Sequence, residues 1–188
     1  MIKMVLFGDS ITAGYTKKEI TAKLTCRMSE YFPKADIINA GIPGETTEDG
    51  LKRIEAHVLK YKPDIVVIFF GANDAARHKF VSLDRYQRNL EEMIQLIGQE
   101  KVVLVSPPYT NQLLRHTDRP LERLMLYRDV TKKLAKKYHL PYVNMMASMM
   151  AAPDPNVYLQ KDGLHFSNKG YDLLAKEMAR AIKESKGV

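Results

Sequence analysis

Residues 64–74 read Asp-Ile-Val-Val-Ile-Phe-Phe-Gly-Ala-Asn-Asp. Positions 65–70 are all apolar, and every one is β-branched or aromatic. A short run of that kind fits a strand covered on both faces, at the centre of a parallel sheet. The glycine at 71 ends it, and the chain turns at once to polar groups, Asn73 and Asp74. On the N-terminal side, Thr46–Tyr61 carries Leu51, Ile54, Val58 and Leu59 on one helical face, and Pro63 follows. On the C-terminal side, Ser82 can cap a helix through Ile97, with Tyr86, Leu90, Met93, Ile94 and Ile97 inward.

The same alternation extends to both ends. Met1–Phe7 reads as a buried strand ended by Gly8. Lys17–Tyr31 reads as a helix with Ile20, Leu24 and Met28 inward, and Ala35–Asn39 as a second strand. After the central pair come a strand at Lys101–Ser106, a helix at Leu121–Tyr138 and a short strand at Pro141–Asn144. Ser167 caps a last helix with Leu173, Leu174, Met178, Ala181 and Ile182 as its stripe. Five strands alternating with helices specify an α/β fold: a three-layer α/β/α sandwich around a five-stranded parallel sheet. The length, 188 residues, fits one domain over 1–188, and 45% hydrophobic with 27% charged residues is ordinary for a globular chain.

Several function classes drop out. The lone cysteine, Cys26, rules out an intrachain disulfide and any cysteine cluster, and its place among helix residues predicts an inert buried thiol. His57, His78, His116 and His139 show no ligand spacing, so no metal is expected. No apolar run approaches the ~20 residues of a membrane span. The opening Met1-Ile2-Lys3-Met4 runs straight into a strand, so a cytoplasmic location without stable membrane insertion is expected. The formal charge is +7. Residues 115–139 hold eight basic side chains against three acidic ones, which is most of that excess. No aromatic residues alternate with them as a stacking surface would need, so they read as a solvated face rather than a nucleic-acid surface. Met145–Met150 holds four methionines and reads as irregular core filler, with a pocket wall as the alternative.

In an open parallel sheet, ligands bind beyond the carboxyl ends of the strands. Gly8-Asp9-Ser10 follows the first strand, Asn39-Ala40-Gly41 ends the second, Gly71-Ala72-Asn73-Asp74 follows the third, and Asp162-Gly163-Leu164-His165 precedes the last helix. A serine at a tight glycine turn exposes its hydroxyl but needs a base. His165 can be that base, and Asp162 three residues earlier can orient its imidazole. An attacked ester develops an oxyanion, for which the N–H groups of Ser10 and Gly41 and the Asn73 side-chain amide are candidate donors. Each residue has a blander reading: Ser10 and His165 as helix caps, Asp162 and Asn73 as turn formers. Asp9 and Asp74 are expected to support the loops as hydrogen-bond acceptors.

Taken together and in this order, the four segments resemble the blocks of the SGNH (GDSL-type) hydrolases. They span residues 7–165, nearly the whole chain. The resemblance implies the flavodoxin-like SGNH hydrolase fold, with Ser10 as nucleophile, Asp162 and His165 completing the triad, and Ser10, Gly41 and Asn73 forming the oxyanion hole. Residues 68–75, Val105-Ser106-Pro107-Pro108 and residues 162–170 are similar to isoamyl acetate-hydrolysing esterases. That similarity implies a small-molecule, short-chain ester as substrate and no cofactor. A carbohydrate O-deacetylase, a thioesterase or a lysophospholipase would use the same residues. An aspartyl-phosphate phosphatase built on Asp9 lacks its second aspartate, since position 11 is Ile, and would need Mg²⁺. A non-catalytic flavodoxin-like binding module leaves Ser10, Asn73, Asp162 and His165 without a role. An edge strand or an apolar helix face leaves a homodimer open.

Overall fold

The computed structural model describes residues 1–187. Its strands are β1 (Lys3–Gly8), β2 (Asp36–Gly41), β3 (Ile65–Phe69), β4 (Val102–Val105) and β5 (Tyr142–Val143). They form one sheet in the order β2-β1-β3-β4-β5, and every pairing is parallel. β3 sits in the middle with all five residues buried, as its uninterrupted apolar run requires. The helices are α1 (Lys23–Tyr31), α2 (Thr47–His57), α3 (Leu83–Ile97), α4 (Gln112–Arg115), α5 (Leu121–Lys137), α6 (Met145–Met150) and α7 (Asn168–Lys186).

The chain steps outward from β1 to β2, returns past β1 to β3, and continues to β4 and β5. Right-handed crossovers put the connecting helix before that reversal, α1, on one face and the later connecting helices, α2, α3 and α5, on the other, while α7, which follows the last strand, returns to the face of α1. Accordingly α1 packs on α7, while α2 packs on α3 and α3 on α5. The reversal leaves a crevice where the carboxyl ends of β1 and β3 diverge. Helix signals in the sequence operate as local chemistry. The Ser82 hydroxyl accepts from Arg85 N–H at the start of α3, and the Ser167 hydroxyl accepts from Gly170 N–H at the start of α7. Thr46 and Asp49 close a capping box on α2.

Four local expectations need correction. The helix expected from Lys17 starts at Lys23. Residues 16–19 instead form a tight turn, closed by reciprocal N–H···O bonds between Thr16 and Glu19, and Ile20 is 65% exposed. Thr21 is tied to Gly14, by N–H and by hydroxyl, and this stops the helix from extending backwards. The helix expected to run to Tyr61 ends at His57, because Val58 leaves helical geometry to bury its side chain and a 3₁₀ turn follows at Leu59–Tyr61. Cys26 is exposed, lying on the solvent side of α1 opposite Leu24 and Met28. The methionine cluster is regular rather than irregular: α6 buries Met145, Met146 and Met149 in the core, at the end of β5.

Candidate active site

Ser10 stands at the start of a single helical turn that leaves β1. Ala13 N–H donates to Asp9 O, and Tyr15 N–H to Ser10 O. The Asp9 carboxylate accepts from Ile11 N–H at 2.9 Å, and the Tyr171 hydroxyl donates to Ile11 O at 3.0 Å, so the turn is held from both sides. Gly8 and Gly41 are register partners across β1 and β2. A side chain on Gly41 would meet Ala13 N at 2.2 Å and Thr12 C at 2.7 Å, both backbone atoms. Glycine at 41 is therefore required for the serine turn to lie against β2, a reason the sequence does not disclose.

His165 comes from the loop before α7. Gln160 N–H donates to His165 O, and a bridge between Leu159 and Phe166 closes the loop. Gly163 supplies a positive φ of 71° at the turn. One oxygen of Asp162 accepts from the N–H groups of Leu164 and His165; the other lies 2.6 Å from His165 Nδ1. Burial pushes the Asp162 carboxyl up, but the imidazole and the two N–H donors outweigh it and hold the group below the ordinary carboxylate range. On the far side of the ring, His165 Nε2 is 3.0 Å from Ser10 Oγ, across 155 residues of sequence. Tyr15 packs its ring against the imidazole at 4.6 Å between centroids, and Gln160 Nε2 donates to Tyr15 O, joining the serine turn to the histidine loop.

Asn73 follows β3, on the other side of the crevice. Its Nδ2 donates to Glu45 O at 2.9 Å and lies 3.4 Å from Asp9 Oδ2; its Oδ1 accepts from Arg119 Nη2 at 3.0 Å. Of the three expected donors, the Ser10 N–H has no acceptor among the described residues, and the Asn73 amide has one N–H left with only the long contact to Asp9. The Gly41 N–H already donates to Asn39 Oδ1 at 3.0 Å, so a substrate oxygen there has to share it. Asp74 accepts from both the N–H and the hydroxyl of Thr47, anchoring the start of α2 beneath the site. Asp9 is buried, and that burial, aided by the nearby Asp74 charge, pushes its carboxyl up to about 7.

The arginines carry no mark in the sequence. Arg119 falls in the stretch that reads as a solvated basic face, yet it is 4% exposed: Nε donates to Ala72 O at 2.8 Å, and Nη1 pairs with Asp118. Arg115 Nε donates to Asp162 O at 2.7 Å, and Arg123 Nε to Ala75 O at 2.6 Å. Arg53 lies over the Phe7 ring, pairs with Glu45, and donates to Gly8 O and Ala40 O, so one guanidinium binds the ends of β1 and β2 together. No local signal finds these residues, because a basic side chain in a charged stretch looks the same whether it turns inward or outward. The lysines of the stretch are as expected, since Lys132, Lys133, Lys136 and Lys137 are exposed on α5, whereas Arg128 is half-buried between Asp129 and Met146. Among the described residues there is no His/Cys/Asp/Glu group arranged to hold a metal, and no helix long and apolar enough to cross a membrane.

A family model described as the GDSL-like lipase/acylhydrolase family matches residues 6–173. The isoamyl acetate-hydrolyzing esterase of Saccharomyces cerevisiae is 31% identical over 205 residues, covering 96% of this chain and 86% of that enzyme. Among solved structures, a lipase/acylhydrolase from Enterococcus faecalis superposes with a TM-score of 0.94 at 43% identity, covering 98% of this chain and 96% of the other. An acetylxylan esterase from Geobacillus stearothermophilus superposes with a TM-score of 0.79 at 26% identity, covering 96% and 94%.

Proposed function

The chain belongs to the GDSL-like lipase/acylhydrolase family and is a carboxylic ester hydrolase; from that premise we propose that it cleaves short-chain esters through a Ser10–His165–Asp162 triad. The observation that carries this reading is the unbroken relay of 3.0 Å from Ser10 Oγ to His165 Nε2 and 2.6 Å from His165 Nδ1 to Asp162. Ser10 Oγ attacks the ester carbonyl carbon while His165 Nε2 takes the hydroxyl proton. Asp162 accepts the Nδ1–H bond throughout, fixing the tautomer and offsetting the imidazolium charge. The carbonyl oxygen becomes an oxyanion facing Ser10 N–H and the second N–H of Asn73, with a share of Gly41 N–H. Collapse breaks the bond to the alcohol oxygen, which leaves with the proton from His165. Water then attacks the acyl-serine, giving its proton to the same nitrogen; collapse breaks the bond from the acyl carbon to Ser10 Oγ, which takes the proton back from His165, and the acid departs. Every proton transfer is served by His165, so no cofactor enters the scheme.

The preference for a small acyl group rests on the likeness to the yeast isoamyl acetate-hydrolyzing esterase. The likeness to an acetylxylan esterase supports a second reading with the same chemistry, removal of acetyl groups from a carbohydrate. A small-molecule ester is the partner in either case, and a cytoplasmic location fits it. The test is hydrolysis of p-nitrophenyl esters from acetate to palmitate, beside acetylated xylo-oligosaccharides, with Ser10→Ala as control. Activity peaking at acetate or butyrate and lost in Ser10→Ala is expected. A peak at palmitate would move the reading to a lipase, and full activity in Ser10→Ala would remove the nucleophile assignment.

A further inference from the structure

A cavity of about 680 Å³ opens beside His165 and Asp162, which form part of its wall. Neither Ser10, Gly41 nor Asn73 lines it. That placement assigns the two halves of a bound ester. The acyl carbonyl must sit between Ser10 and the oxyanion donors. The alcohol oxygen must face His165 Nε2, which returns the proton to it. The cavity on the histidine side therefore receives the leaving alcohol. Around it stand Lys17, Lys18, Lys23 and Lys161, and none of these is in an ion pair with a described residue. Asp162, the one carboxylate in the wall, has its charge committed to His165 and two N–H groups.

Backbone conformation singles out two of these lysines. Lys17 and Lys18 are the central residues of the turn between Thr16 and Glu19, with φ of 52° and 70°. Two consecutive left-handed residues are the preserve of Asn and Gly, because a Cβ there crowds the backbone. The chain holds two lysines in that geometry at the mouth of the cavity, against local preference. Gln160 ties the turn to the histidine loop through Tyr15 O and Thr16 Oγ1. Strain retained at a ligand cleft points to a role for the side chains displayed there.

We infer that the alcohol released by this esterase carries a negative charge, a phosphate or a carboxylate, which the lysines at 17, 18, 23 and 161 receive. The inference rests on the triad reading, because it uses His165 as the group that protonates the leaving oxygen. Ammonium groups suit this task as point charges that follow a flexible anion, and a cleft of one sign raises the local concentration of its counter-ion.

The experiment compares kcat/KM for phenyl acetate, 3-carboxyphenyl acetate and 3-phosphonooxyphenyl acetate at low ionic strength. Monophenyl succinate beside phenyl butyrate places the charge on the acyl side instead. The anionic leaving groups are expected to be favoured by about tenfold, with the advantage shrinking in 1 M salt as the ~3 Å Debye length screens the rim. The larger of the two advantages identifies phosphate or carboxylate. In Lys17→Asn/Lys18→Asn, which suits the left-handed turn better than wild type, and in Lys161→Glu, the anionic-to-neutral ratio should fall toward one. A ratio of one in the wild type, a ratio untouched by both variants, or an advantage confined to monophenyl succinate would each overturn the inference while leaving the nucleophile standing. Turnover that survives in Ser10→Ala would instead overturn the triad reading, and the leaving-group assignment with it.

Discussion

Replacing Arg119 by Met should lower kcat through Asn73 without touching the substrate. The guanidinium is buried and makes three fixed contacts: Ala72 O at 2.8 Å, Asn73 Oδ1 at 3.0 Å, and the Asp118 carboxylate. Its fork holds the oxygen end of the Asn73 amide, so the nitrogen end faces Glu45 O and the proposed oxyanion position. Methionine is close in length but leaves both carbonyl oxygens without a donor. A buried acceptor that loses its partner costs about 1–3 kcal/mol, so the two together should cost about 2–6 kcal/mol of stability in urea unfolding. Losing one oxyanion donor outright costs about 10²–10³ in kcat. The Asn73 amide keeps its bond to Glu45 O in the variant, so the loss in kcat should be smaller, about 10–10², with KM little changed. Arg119→Lys can restore one hydrogen bond but not the fork, and should recover part of the rate. The decisive assay is a double-mutant cycle on p-nitrophenyl acetate. Asn73→Ala alone should cost about 10²–10³, and adding Arg119→Met to it should cost little more. If Arg119→Met lowers kcat equally in the wild-type and Asn73→Ala backgrounds, the coupling is refuted. Full activity in Arg119→Met itself would refute it as well.

Other consequences follow from the same geometry. Asp162→Asn keeps an oxygen for the N–H groups of Leu164 and His165 but loses the acceptor for the imidazole, so kcat should fall by about 10⁴ with the fold intact; a loss under tenfold would remove Asp162 from the triad. Between pH 4 and 7 the folded chain holds a proton on Asp9, pushed up to about 7, that the unfolded chain has released, so this group's contribution to stability declines as pH rises through that window. Asp9→Asn should therefore gain up to about 4 kcal/mol over wild type at pH 8 and little at pH 4, and equal changes at both pH values in urea unfolding would contradict it. Gly41→Ala drives a methyl into Ala13 N and Thr12 C, so the serine turn must move. Activity should be lost along with about 1–3 kcal/mol of stability, and a fully active Gly41→Ala variant would show that the two backbones are not locked together.

Much of this architecture is legible locally. The apolar run at 65–70 requires a strand buried on both faces, and Ser82 and Ser167 cap the helices whose starts they mark. The Asp162–His165 contact is legible too, since it spans three residues of one turn. Local patterns mislead where they have two physical solutions. Ile20, Leu24 and Met28 keep helical spacing, yet the first of them lies outside the helix because Thr21 bonds back to Gly14. Cys26 lies opposite Leu24 and Met28, the face that α1 turns to the core, so its thiol stays in solvent despite its helical neighbours.

Periodicity, caps and glycine turns act over a few residues, so the order of residues along the chain already specifies the elements, their alternation and therefore a parallel sheet. Which strand ends meet is settled only by the assembled fold. The packing of α7 on α1 brings His165 to within 3.0 Å of Ser10, 155 residues away, and the β2-β1-β3 order opens the crevice opposite Asn73. Assembly also turns Arg119 inward while Lys132 and Lys136 on the neighbouring helix stay in water. The physical reason is that a charged side chain is buried only where fixed carbonyls and a carboxylate converge to receive it, and that convergence exists only once the strands have been laid in order.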